Sequence, residues 1–299
     1  MNADVKQMAI LGTGLLGASL GLATKAAAAA GAARVAGHVA AGRVVGYARR
    51  QEPLDEALAT GAIDVGTTRL DDALAGSDLV VAAVPLGQME AVFHALGQAL
   101  SGAAAHPVVT DVGSTKRSVL DAARKHLPRP ELFVGSHPMA GSEQQGPVAA
   151  RADLFTGKPC ILTPDRDTDA DALEMVLNLW QTLGMRLVCL SPDEHDQQTA
   201  TISHLPHAMA AMLVAVTEDR GGWAIASTGF RDTTRLASSN PPMRADILIA
   251  NRDAMRDALA AMRGRLDELD RLLQAGDRPT LLAWLEARRA ARDAWDGPA

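Results

Sequence analysis

The feature that most constrains the fold is a glycine-rich stretch near the N-terminus, "MAILGTGLLGASLG". Within it Gly12, Gly14 and Gly17 have the spacing G-x-G-x-x-G. An apolar run precedes this stretch and helix-forming residues follow it, which predicts a strand, a tight turn and a helix. The first glycine permits the turn, the second lets a phosphate approach the backbone, and the third lets the helix pack on the strand. We therefore expect Gly12, Gly14, Leu15, Leu16 and Gly17 to hold the pyrophosphate of a dinucleotide at a helix N-terminus. A glycine-rich turn without a ligand is the alternative.

The rest of the chain shows two different sequence patterns. Up to about residue 190, short apolar runs alternate with helix-like stretches, which predicts an α/β domain with a Rossmann-like, mostly parallel sheet. The predicted strands are "QMAIL", "RVVGY", "DLVVAAVP", "PVVTDVG", "LFVGSH", "PCILTP" and "MRLVCLS". An alanine-rich segment, residues 23 to 41, is predicted to extend the first helix and end in a loop. From residue 191 onward helical periodicity dominates. We expect a nucleotide-binding domain at residues 1–190 and an all-helical domain at residues 191–299.

The end of the second predicted strand bears on the choice of cofactor. An acidic residue at this point is typical of NAD enzymes, whereas arginine suits the 2′-phosphate of NADP. Here the sequence is "VVGYARRQE", with Arg49 and Arg50 where a carboxylate is expected. The sequence favours NADP over NAD, and two solvated arginines remain the alternative.

Three further stretches lie where predicted strands end. Ligands of open α/β sheets bind outside the carboxyl ends of the strands, so these turns are expected to meet at the cofactor cleft. Val84 and Pro85 come after one strand, Asp111 and Ser114 after the next, and His137 in "GSHPMAG" after the third. We expect Val84, Pro85 and Asp111 to border the cofactor. A histidine there can act as a general base near neutral pH, with Ser114 holding the same substrate hydroxyl; a structural hydrogen bond within the turn is the alternative for His137.

Charge and composition exclude several classes of protein. The chain has 299 residues and a formal charge of −6, which argues against binding to nucleic acid, and it has only two cysteines. Both cysteines lie in apolar runs, which suits the reducing cytoplasm. The glycines of the N-terminal apolar run argue against a signal peptide or a membrane span. No spacing matches a zinc site, so no metal is expected.

Six stretches in this order, "GTGLLGASLG", "DVGSTK", "GSHPMAG", "DEHD", "SHLPHA" and "GFRDTTRLA", resemble the prephenate/arogenate (cyclohexadienyl) dehydrogenases of tyrosine biosynthesis. The resemblance runs from about residue 8 to residue 240. It implies the oxidative decarboxylation of prephenate to 4-hydroxyphenylpyruvate, or of arogenate to tyrosine, with hydride transfer to NAD(P). Nothing in the sequence decides between the two substrates, although "GSEQQGP" after the histidine turn is a candidate for influencing that choice.

The resemblance also implies roles for particular residues. His137 is then the base and Ser114 its partner, while Arg235 in "RDTTR" binds a substrate carboxylate and Asp232 orients that arginine. A surface ion pair between the two is the alternative. His204 and His207 in "SHLPH" border the pocket, and which of them contacts the substrate stays open. Pro206 is expected to interrupt their helix. His195 and Asp196 are expected to cap or tether a helix.

Two further hypotheses remain. A β-hydroxyacid or imine reductase has the same architecture but typically relies on a lysine in its helical domain, and this chain has no lysine after Lys158. A non-catalytic dinucleotide-binding sensor would bind NADP without turnover. Under all three hypotheses the helical domain has more apolar surface than it needs for its own core. This excess predicts a homodimer through these helices. The apolar stripe consists of Ile247, Leu248, Met255, Leu259, Met262, Leu266 and Leu269.

Overall fold

Eight strands form one sheet in the computed structural model, which describes residues 5–31, 41–141 and 144–295. The strands are β1 (Gln7–Leu11), β2 (Arg43–Tyr47), β3 (Val65–Thr67), β4 (Leu79–Ala82), β5 (Val108–Asp111), β6 (Phe133–Pro138), β7 (Pro159–Thr163) and β8 (Arg186–Cys189). Their order is β3-β2-β1-β4-β5-β6-β7-β8. All seven predicted strands are present. The sequence did not predict β3, which has only three residues.

The sheet reverses its winding direction at β1. Strand β1 pairs in parallel with β2 on one side and with β4 on the other, so a crevice opens beyond the carboxyl ends of β1 and β4. The pairing is parallel throughout except between β6 and β7, which run antiparallel. The prediction of a mostly parallel sheet is confirmed.

Helices cover both faces of the sheet, because alternate strand residues point to opposite sides. In β1, Met8 and Ile10 belong to one apolar core, whereas Ala9 and Leu11 belong to the other. The helices of this half are α1 (Leu15–Ala29), α2 (Glu52–Ala59), α3 (Leu70–Leu74), α4 (Met89–Leu100), α5 (Arg117–His126) and α6 (Ala170–Thr182). Helix α1 therefore accounts for the first part of the alanine-rich segment, and residues 32–40 of that segment lie outside the described residues.

From residue 191 to residue 295 the structure contains helices and no strand, as predicted. These helices are α7 (Pro192–Thr199), α8 (Leu205–Arg220), α9 (Thr228–Thr234), α10 (Pro241–Ala250), α11 (Arg252–Ala275) and α12 (Arg278–Asp293). Their own core is small and centres on Leu205 and Met255. Many of their large apolar side chains remain exposed, among them Val216, Leu266 and Leu273.

Helices α7 and α8 join without a break. Ser191 and Glu194 form a capping box at the start of α7, and a π-helical turn, Ala200–His204, connects it to α8. Pro206 was expected to interrupt this helix. The chain stays helical through Pro206, and the interruption is the change from α-helical to π-helical turns just before it. Pro206 stands in the first turn of α8, directly after the wider π turn, which accommodates a residue that lacks an N–H.

The continuous segment Pro192–Arg220 is long and apolar enough to cross a membrane, judged by length and composition alone. Its side chains include His195, Asp196 and His204, which are buried against other parts of the protein. Buried polar groups with protein partners are what a helix packed within a folded domain contains.

Candidate functional site

The glycine turn lies in the crevice between β1 and β4. Gly12 has φ +103, and a β-carbon on it would lie 2.5 Å from the carbonyl oxygen of Ala83. A β-carbon on Gly17 would overlap the carbonyl oxygen of Gly12, so this glycine brings α1 onto the turn. Gly14 has nothing within 4 Å of its β-carbon position and leaves open space for a ligand. Val84 packs beside Gly12 and Pro85 is exposed at the rim, so the turn after β4 borders this space.

The N-terminus of α1 is suited to an anion. Gly14 is the N-cap residue, no side chain caps the helix, and its first turn contains no acidic residue. The first helical hydrogen bond runs from the Ala18 amide to the Gly14 carbonyl at 2.9 Å, so the amides of Leu15 and Leu16 lie before it. Uncapped amides and the helix dipole together attract negative charge. These residues fit a dinucleotide pyrophosphate.

The first residues after β2 are Ala48, Arg49 and Arg50, none of which is acidic. The Gly12 amide donates to the Tyr47 carbonyl at 2.8 Å, which fixes the end of β2 beside the glycine turn. Arg49 follows, and its Nη2 donates to the Gln88 side chain at 2.9 Å across the opening. Arg50 is exposed and lies 3.5 Å from a carboxylate oxygen of Glu52. Arginine thus stands at the position that usually contacts the adenosine ribose.

Asp111 has a different role from the one expected. Its carboxylate is fully buried, and both of its oxygens are committed within the protein. Oδ1 accepts from the Ser136 amide at 3.1 Å, while Oδ2 accepts from the Gly113 amide at 2.7 Å and from Lys116 Nζ. The Lys116 ammonium also donates to the Ser136 carbonyl at 2.7 Å. This buried ion pair therefore holds the ends of β5 and β6 together, and the Asp111 side chain does not face the cofactor cleft.

His137 occupies the end of β6 and belongs to a chain of three side chains. Its Nδ1 lies 2.8 Å from Nε2 of His195, and Nδ1 of His195 lies 2.7 Å from Oδ1 of Asp196. All three side chains are almost entirely buried. The ring of His137 is therefore fixed by a hydrogen bond to His195, which belongs to helix α7.

This chain of contacts assigns the tautomers. The Asp196 carboxylate only accepts hydrogen bonds, so Nδ1 of His195 carries a proton and donates it. A neutral His195 then offers the lone pair of Nε2, which accepts from Nδ1–H of His137. The remaining nitrogen of His137, Nε2, therefore carries no proton and presents a lone pair. That is the protonation state a general base requires.

The electrostatic environment keeps both rings neutral. Burial lowers the pKa of His137 well below its ordinary value, and the adjoining His195 ring and the Lys116 ammonium also disfavour a positive charge on it. Burial also lowers the pKa of His195, although the hydrogen bond to Asp196 opposes that effect. Burial opposes the ionisation of Asp196, but hydrogen bonds from His195 and from two backbone amides outweigh it and lower the pKa of this carboxyl.

Asp196 also tethers a helix, as predicted. Its oxygens accept from the amides of Lys116 at 2.8 Å and Arg117 at 3.0 Å, which cap the start of α5. The sequence did not reveal that His195 contacts His137, because 58 residues separate the two histidines. Ser114 lies half-buried in the loop before α5. Its hydroxyl makes no hydrogen bond within the described residues, so its expected contact with substrate stays a prediction.

His204 is a third buried histidine and lies beside this chain of contacts. Asn251 Nδ2 donates to the Asp196 carbonyl at 2.8 Å and lies 3.1 Å from Nδ1 of His204. His204 therefore accepts at Nδ1 and carries its proton on Nε2, which is buried and has no partner in the described structure. Burial lowers the pKa of His204 to about 4, so the ring is neutral and Nε2–H is an unused donor.

His207 lies nearer the surface, one helical turn further on. Its Nδ1 is 3.1 Å from the Leu236 carbonyl, which accepts its proton. Arg235 is exposed and contributes charge near His207. Asp232 contacts Arg231 at 3.5 Å, and the described residues show no ion pair between Asp232 and Arg235. Neither the predicted orientation of Arg235 by Asp232 nor the alternative surface pair between them is present.

Fold and site together define a class of protein. A glycine turn at the switch point of a doubly wound sheet and a buried histidine held ready to accept a proton are the parts of a dinucleotide-dependent oxidoreductase. A family model described as "Prephenate dehydrogenase, nucleotide-binding domain" matches residues 30–189, and one described as "Prephenate dehydrogenase, dimerization domain" matches residues 191–287. The chain belongs to the prephenate dehydrogenase family.

Relatives cover nearly the whole chain. A prephenate dehydrogenase of Bacillus subtilis is 35% identical over 98% of this chain and 77% of its own length. A cyclohexadienyl dehydrogenase of Zymomonas mobilis is 33% identical over 96% of this chain and 95% of its own length. The structure of Aquifex aeolicus prephenate dehydrogenase in complex with hydroxyphenyl propionate and NAD+ superimposes with a TM-score of 0.87 at 28% identity, covering 98% of this chain and 99% of that one.

Proposed function

We propose that this chain is a prephenate/arogenate dehydrogenase that oxidatively decarboxylates prephenate or arogenate. The observation that carries the proposal is the Asp196–His195–His137 chain, which leaves Nε2 of His137 as a hydrogen-bond acceptor. Family membership and the relatives named prephenate and cyclohexadienyl dehydrogenases support the substrate class.

The proposed reaction proceeds from a ring alcohol. A bound nicotinamide supplies the hydride acceptor for the carbinol C–H. Nε2 of His137 accepts the hydroxyl proton as the carbonyl forms, and Ser114 orients that hydroxyl. The carbon–carboxylate bond of the ring then breaks, its electron pair enters the ring and carbon dioxide leaves. The protonated His137 returns its proton to the carbonyl oxygen, which completes the phenol and restores the neutral base. The aromatic product makes this step favourable, so the protein needs no metal for it.

The test measures reduced nicotinamide by its absorbance, with prephenate or arogenate and with NADP or NAD. Turnover in at least one of the four combinations is expected. Absence of turnover in all four rejects the proposal, and NADP binding without turnover would favour the sensor hypothesis. In a His137→Asn variant we expect kcat to fall about 10²–10⁴-fold, because the variant lacks the base. Nearly full turnover by this variant would reject His137 as the base.

We further propose a preference for NADP over NAD. Arg49 and Arg50 stand at the end of β2, and Arg49 reaches across to Gln88. The planar guanidinium matches the geometry of a phosphate group. Replacing Arg49 with alanine should raise KM for NADP more than KM for NAD. Arg69→Ala is the matched control, since Arg69 is an exposed arginine on the neighbouring connection that pairs with Asp72. Equal effects of Arg49→Ala on both cofactors would contradict the proposal.

We propose a cytoplasmic homodimer whose chain divides at residue 190 into a nucleotide-binding part and a helical part. The matched dimerization model supports this, as do the exposed apolar side chains of α8 and α11. Leu266 and Leu273 are 51% and 60% exposed, although they continue the apolar stripe of α11. A Leu266→Glu/Leu273→Glu variant should sediment as a monomer. A dimer of unchanged affinity would show that these positions lie outside the interface.

A further inference from the structure

Arg244 of α10 is a partly buried cation without a counter-ion. Its Nε donates to Oγ of Ser239 at 3.2 Å, and no carboxylate in the described residues lies within ion-pair distance of it. Burial lowers the pKa of this guanidinium, which nevertheless stays charged near neutral pH. A guanidinium withdrawn from water is normally paired. Within the described residues Arg244 has one hydroxyl as a partner, and its other donors are unused.

The surroundings of Arg244 contain further donors. Ser239 Oγ also lies 3.3 Å from Nδ1 of His207, and the positive charge of Arg244 acts on both His207 and His204. His204 carries the buried, unpartnered Nε2–H. We call Arg244, Ser239, His204 and His207 the Arg244 cluster. It combines one cation with an unused buried donor. The carboxylate whose charge acts on His204 is that of Asp196, which is already bound by His195 and two backbone amides.

The Arg244 cluster is continuous with the site already described. Asn251 connects His204 to the Asp196 backbone, and Asp196 supports His195 and His137. On the other side, α10 packs against the turn after β4, where a β-carbon on Gly87 would lie 2.7 Å from the Asp246 carboxylate. The cluster thus lies where the helical part meets both the base and the edge of the cofactor cleft.

We propose that Arg244 binds the side-chain carboxylate of the substrate and makes the enzyme prefer prephenate over arogenate. This inference rests on the proposed function. Both substrates have two carboxylates, one of which leaves the ring as carbon dioxide. A strong contact to the leaving carboxylate would stabilise the ground state over the transition state, so the carboxylate that is retained is the one to bind tightly. Arogenate has an ammonium beside that carboxylate, where prephenate has a ketone. A cluster with a cation and no anion disfavours that ammonium.

The test compares kcat/KM for prephenate and for arogenate in wild type and in Arg244→Gln. For prephenate we expect a fall of about 10–100-fold, mainly through KM, because a charge-assisted contact is lost. For arogenate the fall should be smaller, so the ratio of the two constants drops. Arg244→Lys should recover part of the prephenate activity. Fluorescence titration with NADPH should show unchanged cofactor affinity.

Two further variants keep the test decisive. Arg252→Gln removes an exposed arginine that lies beside Asp253 and should leave all constants unchanged. Ser239→Ala removes the oxygen that holds Arg244 Nε and should raise KM for prephenate several-fold, even if Arg244→Gln folds poorly. Equal losses for both substrates, or none, would overturn the role of Arg244 while leaving the dehydrogenase proposal intact. A wild type that turns over neither substrate would overturn both.

Discussion

The carboxylate of Asp196 should strengthen His137 as a base, and the Asp196→Asn variant isolates this effect. An asparagine oxygen at the Oδ1 position can still accept from Nδ1 of His195 and from the Lys116 amide. The tautomers of both histidines are then preserved. What the variant loses is the negative charge, together with the acceptor for the Arg117 amide.

The size of the charge effect follows from the geometry. Two hydrogen bonds of 2.7 and 2.8 Å and one imidazole ring separate the carboxylate from His137. At an effective dielectric constant of about 20, unit charges about 8 Å apart interact by about 2 kcal/mol. That energy stabilises the imidazolium formed when His137 takes up the substrate proton. Its loss corresponds to a decrease in kcat of about 30-fold and lowers the pKa of His137 further.

The measurement is kcat as a function of pH, followed by the absorbance of reduced nicotinamide. In the variant the plateau should be lower and the acid limb should shift to lower pH, because a weaker base loses its proton more readily. The lost cap on α5 should cost about 1 kcal/mol of stability, which thermal unfolding reports. Ser191→Ala is the matched control, because it removes the capping box of α7 without touching the histidines. An unchanged plateau, or an acid limb that moves to higher pH, would refute the reasoning.

Three further predictions follow from the same structure. Gly17→Ala should destabilise the protein by about 1–3 kcal/mol, because the new β-carbon overlaps the glycine turn. Gly14→Ala should leave the unfolding temperature unchanged and raise KM for the cofactor, because only open space surrounds that position. Equal unfolding temperatures for the two variants would contradict this. Lys116→Met should cost about 3–5 kcal/mol by leaving Asp111 buried without its partner, and adding Asp111→Asn should restore part of the loss in chemical denaturation. In wild type the pKa of His137 is lowered, so the neutral base persists and kcat should fall only below the ordinary histidine range; a limb above pH 6.5 would contradict this.

The parts of the fold that the sequence predicted are local. A strand, the glycine turn and the start of a helix lie within a dozen residues, so the pattern of apolar residues and glycines determines them directly. Strand β3 was missed because three half-buried residues give no periodicity. The π turn was missed because Pro206 indicates an irregularity in the helix without indicating which one.

The site depends on long-range contacts, and here prediction from sequence was weaker. Asp111 follows a strand, as a residue facing the cofactor would, but Lys116 turns back to pair with it inside the protein. Arg244 belongs to no recognisable sequence motif. It lies near the start of α10, and an arginine in such a position is usually exposed to solvent. Its unpaired state becomes visible only when the positions of its neighbours are known.

The packing of α7 on α5 joins stability to catalysis through one side chain. Asp196 caps α5 with two backbone hydrogen bonds and, through His195, sets the proton positions of His137. The base itself, His137, lies on strand β6, and the side chains that set its proton positions lie on helix α7. Any change that displaces α7 must release the α5 cap and free the His195 ring in the same movement. A form with a displaced α7 would still have an intact glycine turn, because that turn is held by the ends of β2 and β4. Such a form should bind cofactor yet have a His137 whose proton can occupy either nitrogen.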